Sequence, residues 1–449
     1  MKLTHLLSAT VLIEHKNTKI LCDPWLEGKE YYGSWNAGDP IIGEKLDIDY
    51  SMFDDVDYIY ISHIHPDHMS KTTLDKINKD IPVLIHEYDE QFVKSNLERW
   101  GRKVIELKHG EKFHCGDDLN VHIFAADDCN PEVCFNFFGC GKSKSIDGGS
   151  TGIDTMAVIE NGENYILNVN DCPYELSKLC LDRVVNQFNK IDLLLVGYAG
   201  AGSYPQCWHY SDDDKLNKYG MDKKNHFLNM GLDYINHTKP KYYMPFAGTY
   251  VLGGKFAKLE RFRVVPTLDD ALNFYKNRCD DSFGFLLNPL SYFDLDTKKT
   301  SSEYVPIDRE EQIKYCEEIL IHDKYDYEYD EEPEVGQIME LIPKAYKRYD
   351  QKRKELSFST DTNIYLYLPN NKMLKISADG SGYDLLDKSD FDDEKYVTYK
   401  VDSKLLYRIL RGPNYAHWNN AEIGSHIQFS RKPEIYERKL YYSMNFFHG

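Results

Sequence analysis

With 449 residues, 42% of them hydrophobic and 14% aromatic, the chain is long enough for two domains and apolar enough to bury a core, which excludes a disordered polymer. Seventy-three acidic against 54 basic residues leave a formal charge of -19, a field that repels phosphate backbones and anionic lipid and argues against nucleic-acid and membrane partners. The opening Met1-Lys2-Leu3-Thr4-His5 does not read as a secretory leader, no apolar run reaches about 18 residues, and the ten scattered cysteines lack the density of a disulfide-stapled domain, so a cytoplasmic protein with reduced thiols is expected.

Residues 10–14 and 18–21 are predicted strands around the turn His15-Lys16-Asn17, the second running into Cys22-Asp23-Pro24-Trp25. By its local residues Asp23 reads as a plain Asp-Pro turn. Residues 27–50, rich in Gly, Tyr and Asp, read as a loop. The apolar run Asp57-Tyr58-Ile59-Tyr60-Ile61 is a buried strand that delivers Ser62-His63-Ile64-His65-Pro66-Asp67-His68 onto a loop. Three imidazoles and a carboxylate in six residues are the borderline-to-hard donors that hold zinc, iron or manganese; the alternative is a solvated loop without an ion. Ser70 caps a predicted helix to about 78, followed by a strand over 83–86, a helix over 90–100, and strands over 104–107 and 119–126. Strands 154–159 and 165–169 form a hairpin through Asn161-Gly162 and end in Asn168-Val169-Asn170-Asp171-Cys172, where Asp171 by itself reads as an Asx-turn residue. A helix over 175–187 and a strand over 192–197 lead to Tyr198-Ala199-Gly200-Ala201-Gly202-Ser203-Tyr204-Pro205. A strand over 242–246 leads similarly to Ala247-Gly248, and the small residues at both strand ends suggest a substrate wall approached closely by backbone.

Composition shifts near residue 300, which places a domain boundary there: 1–300, and 301–449 as an α+β module. Helices are expected over 309–321 and 334–353, separated by an acidic run at 323–332 that reads as a solvated loop, with a partner-binding or cation-binding role as the alternative. Strands follow over 362–368, 372–378, 396–401 and 425–430, with a helix over 402–410. Arg408, Arg411 and His417-Trp418-Asn419-Asn420 form a polar and aromatic group that either reaches the substrate or is a solvated face. Lys255, Lys258, Arg261 and Arg263 form a cluster suited to a phosphate or, again, a solvated face.

The H-x-H-x-D-H of residues 63–68 resembles the signature loop of the metallo-β-lactamase superfamily. The resemblance implies an αββα sandwich, gives His63 and His65 to one ion and Asp67 and His68 to a second, makes Asp171 the bridging carboxylate and assigns the loop brace to Asp23. Y-I-S-H-x-H-x-D-H-x-S at 60–70, N-x-x-D-C at 168–172, A-G-A-G-S-Y-P at 199–205, P-x-x-Y-x-P-F-A-G at 240–248 and Arg-x-Pro-x-x-Tyr at 431–436 are together similar to the catalytic region of the CMP-N-acetylneuraminate hydroxylases. The C-terminal module is similar to the sterol-carrier-like domain appended to some enzymes of this fold, a reading that gives it an apolar pocket or a role in homo-oligomerisation.

Three departures qualify the likeness. A Rieske centre needs C-x-H and C-x-x-H; the chain has the first only at Cys207-Trp208-His209 and the second nowhere. Ser150 stands where the family places a further histidine, and after Gly248 no histidine follows until His322, so Asp127, Asp128 or a cysteine would have to complete the shell. An insertion carries Cys129, Cys134 and Cys140, which would bind zinc, support an iron-sulfur cluster with Cys172 or Cys115, run thiol chemistry, or lie buried under a loop. Oxygen-rich ligation favours iron over zinc, with manganese also fitting, in a centre of one or two ions. The expectation is a metal-dependent oxygenase acting on an N-acyl or nucleotide-linked sugar or similar small polar substrate, with an external electron donor and with Asp67 and Asp171 as its catalytic carboxylates. The second reading is a metal-dependent hydrolase of an ester, lactone, amide or phosphodiester, and the third a metal-stabilised binding protein without catalysis.

Overall fold

The computed structural model describes all residues except 37–47, 89–90, 127–153, 211, 280 and 393. Two sheets lie face to face. The first runs, edge to edge, Lys299–Thr300, Tyr292–Asp294, Lys2–Leu7, Thr10–His15, Thr18–Cys22, Tyr58–Tyr60, Val83–His86 and Val104–Leu107. The second runs Phe283–Gly284, Tyr242–Phe246, Leu193–Gly197, Tyr165–Asn168, Thr155–Glu160, Leu119–Ala125 and Lys112–Gly116.

Side-chain alternation builds the layers. Val11, Ile13, Ile20 and Leu84 of the first sheet meet Val121, Ile123, Ala157, Ile159 and Leu195 of the second in one buried layer. On the outer face of the first sheet, Leu12, Leu21 and Ile59 pack against Leu74, Val93 and Leu97. On the outer face of the second, Val158, Leu167 and Leu194 pack against Cys180, Leu181 and Val184 of helix Tyr174–Phe188 and Ile235 of helix Asp213–Thr238. Val158 faces a different layer from Ala157 and Ile159, the two-residue period of a strand covered on both sides. The chain has the metallo-β-lactamase αββα sandwich.

Both sheets are parallel where it matters for function. Thr18–Cys22, Tyr58–Tyr60 and Val83–His86 pair in parallel, as do Tyr165–Asn168, Leu193–Gly197 and Tyr242–Phe246. Their C-terminal ends therefore open onto a common rim, where loops are free to carry chemistry. Asp23, the 62–68 loop, Asp171, Tyr198 and Ala247 all follow such ends.

Beyond residue 300, a five-stranded sheet runs Gly382–Asp387, Lys372–Ser377, Asn363–Tyr367, Tyr396–Lys400 and Gln428–Lys432, packed by helices Val335–Glu355, Ser403–Arg411 and Arg438–Met444. Its core also takes in Cys207 and Trp208 from the sandwich side, and a parallel bridge joins Trp208 to Phe429.

Several expectations change. Helix 70–78 is only Lys71–Leu74, although Ser70 caps it as predicted, accepting from Thr73 N at 3.2 Å. The long helix Asp213–Thr238 is not among the expected elements, and it carries Gly220 and Gly231; a Cβ at Gly231 would lie 2.1 Å from the Tyr275 hydroxyl and one at Gly220 2.5 Å from Val264, so close packing requires both glycines. The acidic run is not a solvated loop. Tyr325 and Tyr327 are fully buried in the C-terminal core, while Asp326 and Asp330 pair with Arg408, which uses up that guanidinium. The cationic cluster is likewise neutralised: Lys255 by Asp402 and Glu328, Arg261 by Glu317, and Arg263 by Glu260.

Glu260 is a fully buried carboxylate that accepts from Arg263 at 2.8 Å, Arg309 at 2.6 Å and the Leu252 amide at 2.9 Å. Burial raises its pKa, and the two guanidiniums overcome this and hold it below the ordinary glutamate value. Its stabilising contribution is thus present above the unfolded-state pKa and lost as pH falls through the lower folded-state value. Glu260→Ala leaves Arg263 buried without its carboxylate and should cost about 3–5 kcal/mol in denaturant unfolding at neutral pH. The difference from wild type should shrink in acid.

Candidate metal centre

The site begins with a buried carboxylate. Asp23 follows the strand Thr18–Cys22 in a left-handed conformation (φ 44°) that turns its side chain under the next loop. Its Oδ1 accepts the Ser62 amide at 2.7 Å, and its Oδ2 accepts the Ser62 hydroxyl at 2.7 Å and His68 Nδ1–H at 2.9 Å. Ser62 Oγ, having donated to Asp23, accepts Nδ1–H of His63 at 2.9 Å. The Ser62 carbonyl is held by Thr155 Oγ1 at 2.7 Å and the Tyr88 hydroxyl at 2.9 Å. Each bond fixes a tautomer, leaving the Nε2 lone pairs of His63 and His68 directed into the site. Asp23 thus bonds to the loop that carries the candidate ligands at three points.

Two overlapping donor groups result: His63, His65 and Asp154, and His63, His68 and Asp171, the ligand atoms of each lying within 4.8 Å of one another. His63 Nε2 is 2.9 Å from His65 Nδ1 and 3.9 Å from Asp154 Oδ1, and His68 Nε2 is 3.5 Å from both Asp67 Oδ2 and Asp171 Oδ2. All five predicted ligands, His63, His65, Asp67, His68 and Asp171, are thus brought together. Asp67 Oδ1 accepts the Tyr31 hydroxyl at 2.6 Å, which leaves Oδ2 toward the site. Tyr31 stacks near Trp35, ring centroids 4.3 Å apart, Trp35 lies on Tyr250, and Tyr250 lies under the Arg263 guanidinium at 3.8 Å. The Glu260 network therefore backs the Asp67 ligand through a column of rings.

The electrostatics favour a cation. Burial pushes the Asp154 carboxyl up to about 6, partly offset by His65, and neighbouring Asp171 adds to the rise. Asp67 is also raised, by burial first, with His68 opposing and Asp171 reinforcing. Burial, then His68 and His65, hold the His63 imidazole well below its ordinary pKa. Burial disfavours charge on His68 too, yet Asp171, Asp67 and Asp23 outweigh it and drive its pKa well above the usual value. Three carboxylates crowd three imidazoles, and a bound cation relieves both the carboxylate repulsion and the forced protonation. The spacing also fits: nitrogens 2.9 Å apart match two ligands about 2.1 Å from one ion at roughly a right angle, an octahedral edge.

Asp154 was missed as a ligand. The signal for it is its place at the head of strand Thr155–Glu160, whose threonine holds the Ser62 carbonyl. Asp127, Asp128, Cys129, Cys134, Cys140 and Ser150 lie outside the described residues. Cys115 is not thiolate-like, since burial and then Asp57 push its thiol up to about 12, and Cys172 packs in the apolar layer on the outer face of the second sheet. Gly200 and Gly248 face protein neighbours: a Cβ on the first would meet the Phe227 ring at 1.8 Å, and one on the second would meet Ala199 at 3.0 Å. Within the 417–420 group, Trp418 is core, whereas Asn419 reaches the metal loop, its Oδ1 3.3 Å from His65 Nε2.

Residues 2–200 match the β-lactamase superfamily domain, a stretch that includes every ligand candidate above. A Mycolicibacterium smegmatis protein bearing the name of a Rieske 2Fe-2S iron-sulfur protein is 28% identical over 255 residues, 55% of this chain and 43% of that one. The cytidine monophosphate-N-acetylneuraminic acid hydroxylase of Danio rerio is 26% identical over 259 residues, 55% of this chain and 38% of that one. The crystal structure of an isothiocyanate hydrolase from Delia radicum gut bacteria superposes with a TM-score of 0.45 at 13% identity, over 66% of this chain and 99% of that one. The chain spans less than half the length of these two sequence relatives.

Because Asp23 holds two of the three imidazoles, directly or through Ser62, Asp23→Asn should weaken ion binding about 10- to 100-fold while the sandwich stays folded. Isothermal titration with iron(II) or zinc(II), alongside circular dichroism, checks this.

Proposed function

From the premise that residues 2–200 are a metallo-β-lactamase-fold domain of the β-lactamase superfamily, we propose that the protein is a metal-dependent oxygenase that hydroxylates a small polar substrate of the N-acyl or nucleotide-linked sugar class. One observation carries this reading. His63, His65 and Asp154 are two imidazoles and one carboxylate on one small volume, the donor set suited to non-haem iron with open positions. His68, Asp67 and Asp171 form a second, carboxylate-rich half. The name of the Danio rerio relative supports the same class.

Bound iron supplies oxidation-reduction chemistry that zinc lacks. The chain's own residues do the rest. Asp23, Ser62 and Tyr31 orient ligands. Asp171, its side chain 37% exposed, is the carboxylate that faces an incoming substrate. Burial raises its pKa, but His68 and then His65 overcome that and hold it below the ordinary aspartate value. Placing one oxygen atom of O2 into a C–H bond and reducing the other to water consumes two electrons and two protons, so the proposal includes an external electron donor.

Protein purified without oxygen should retain iron in two sites and, given a reductant, consume O2 with a CMP-linked N-acylneuraminate. His63→Ala and His65→Ala should each abolish iron retention and turnover. Zinc retained in place of iron, with ester or lactone hydrolysis and no oxygen uptake, would overturn the oxygenase reading.

A further inference from the structure

The metal loop is held from two sides. His63 and His68 are fixed within the sandwich by Ser62 and Asp23. His65 and Asp67 are tied instead to the segment beyond residue 400. His65 presents Nδ1 to His63, and its other nitrogen, Nε2, meets Asn419 Oδ1 at 3.3 Å. Asp67 is held by the Tyr31 hydroxyl, and the Tyr31 carbonyl accepts Nε2–H of His426 at 2.7 Å.

Asn419 is placed with care on a short, half-buried helix. It is the second residue of helix Trp418–Ile423. Trp418 beside it is buried and donates its indole N–H to Phe447 O at 2.8 Å, and the His417 amide donates to the Tyr32 hydroxyl at 2.7 Å. Tyr32 adjoins Tyr31 in the chain, so the helix start is pinned to the same segment that carries the Asp67 partner. At the helix's other end Glu422 accepts the Ser203 hydroxyl at 3.3 Å, which ties the helix to the loop after strand Leu193–Gly197. The helix thus spans the common rim, from the metal loop of the first sheet to a loop of the second.

An imidazole binds an ion through one nitrogen, and the partner of the other nitrogen decides which. We propose that Asn419 is a positioning residue for the metal centre: its Oδ1 accepts Nε2–H of His65, commits Nδ1 to the ion shared with His63 and Asp154, and makes that half of the centre dependent on the C-terminal segment. This rests on the metal reading above. It goes beyond that reading by assigning the selection of the His65 tautomer to a residue outside the superfamily-matched region.

Two variants separate the role from folding. Asn419→Asp keeps an acceptor at the same place; Asn419→Leu keeps the volume and removes it. In ion-free protein, 15N spectra of the histidine side chains should show His65 as the Nε2–H tautomer in wild type and Asn419→Asp and as a mixture in Asn419→Leu. With cobalt(II) as the probe, Asn419→Leu should lose about 10- to 100-fold in affinity at one site and leave the other unchanged, whereas Asn419→Asp should bind as wild type does. A wild-type tautomer and wild-type cobalt binding in Asn419→Leu would overturn the proposal. So would equal losses in both variants accompanied by equal falls in the melting temperature of the ion-free protein, which would mark a merely structural residue. If wild type binds no cobalt at all yet shows the expected tautomers, the metal reading fails and the proposal with it, a result distinct from either of these.

Discussion

A single buried carboxylate, Asp23, organises the rim of this sandwich. It accepts one backbone amide, one hydroxyl and one imidazole N–H, so its buried charge is met by three donors from one loop. The same three bonds convert a loop that would otherwise be free at the end of strand Tyr58–Tyr60 into a rigid presentation of lone pairs. Parallel pairing of Thr18–Cys22 with Tyr58–Tyr60 explains why such a residue is available: the two strands end on the same side, and the end of Thr18–Cys22 lies directly beside the start of the metal loop. Ligand geometry here follows from sheet register.

Support then spreads outward in two directions. One path runs from Asp67 through Tyr31, Trp35, Tyr250 and Arg263 to Glu260, joining an ion ligand to a buried charge network through a column of aromatic rings. The other passes from His65 and from Tyr31 to Asn419 and His426, and so into the core of the C-terminal segment. Trp208, stacked on Phe429 with ring centroids 4.7 Å apart, closes the same junction from the sandwich side. The two halves of the chain are therefore coupled by the interactions that shape the site.

Much of this was legible in the residues. The His63 to His68 loop stands out because three imidazoles and a carboxylate in six residues have few structural uses, Asp23 and Asp171 were reached through the family resemblance, and the alternating hydrophobic runs gave most sandwich strands. What escaped has physical causes. Helix Asp213–Thr238 is interrupted by glycines whose need is set by Val264 and Tyr275, far away in sequence. Strand Lys2–Leu7 is central and almost wholly buried, so Thr4 and His5 sit among its apolar residues without an alternating pattern, His5 Nε2 lying 3.2 Å from Ser8 O. Asp154 looked like an ordinary residue before a strand, since its role depends on where strand Thr155–Glu160 starts relative to Ser62. Asn419 was noticed only as part of a polar group, because a contact spanning 354 residues of sequence leaves no local pattern.

The central claim is that two ions sit side by side at this rim, one between His63, His65 and Asp154 and one beside His68 and Asp171. Anomalous diffraction at the iron edge, from crystals of the iron(II)-loaded protein, tests it most directly. The account predicts two anomalous peaks, the first in contact with His63 Nε2, His65 Nδ1 and Asp154 and the second in contact with His68 Nε2 and Asp171. Loaded crystals with no peak at these residues, or with iron bound only elsewhere on the chain, would contradict it.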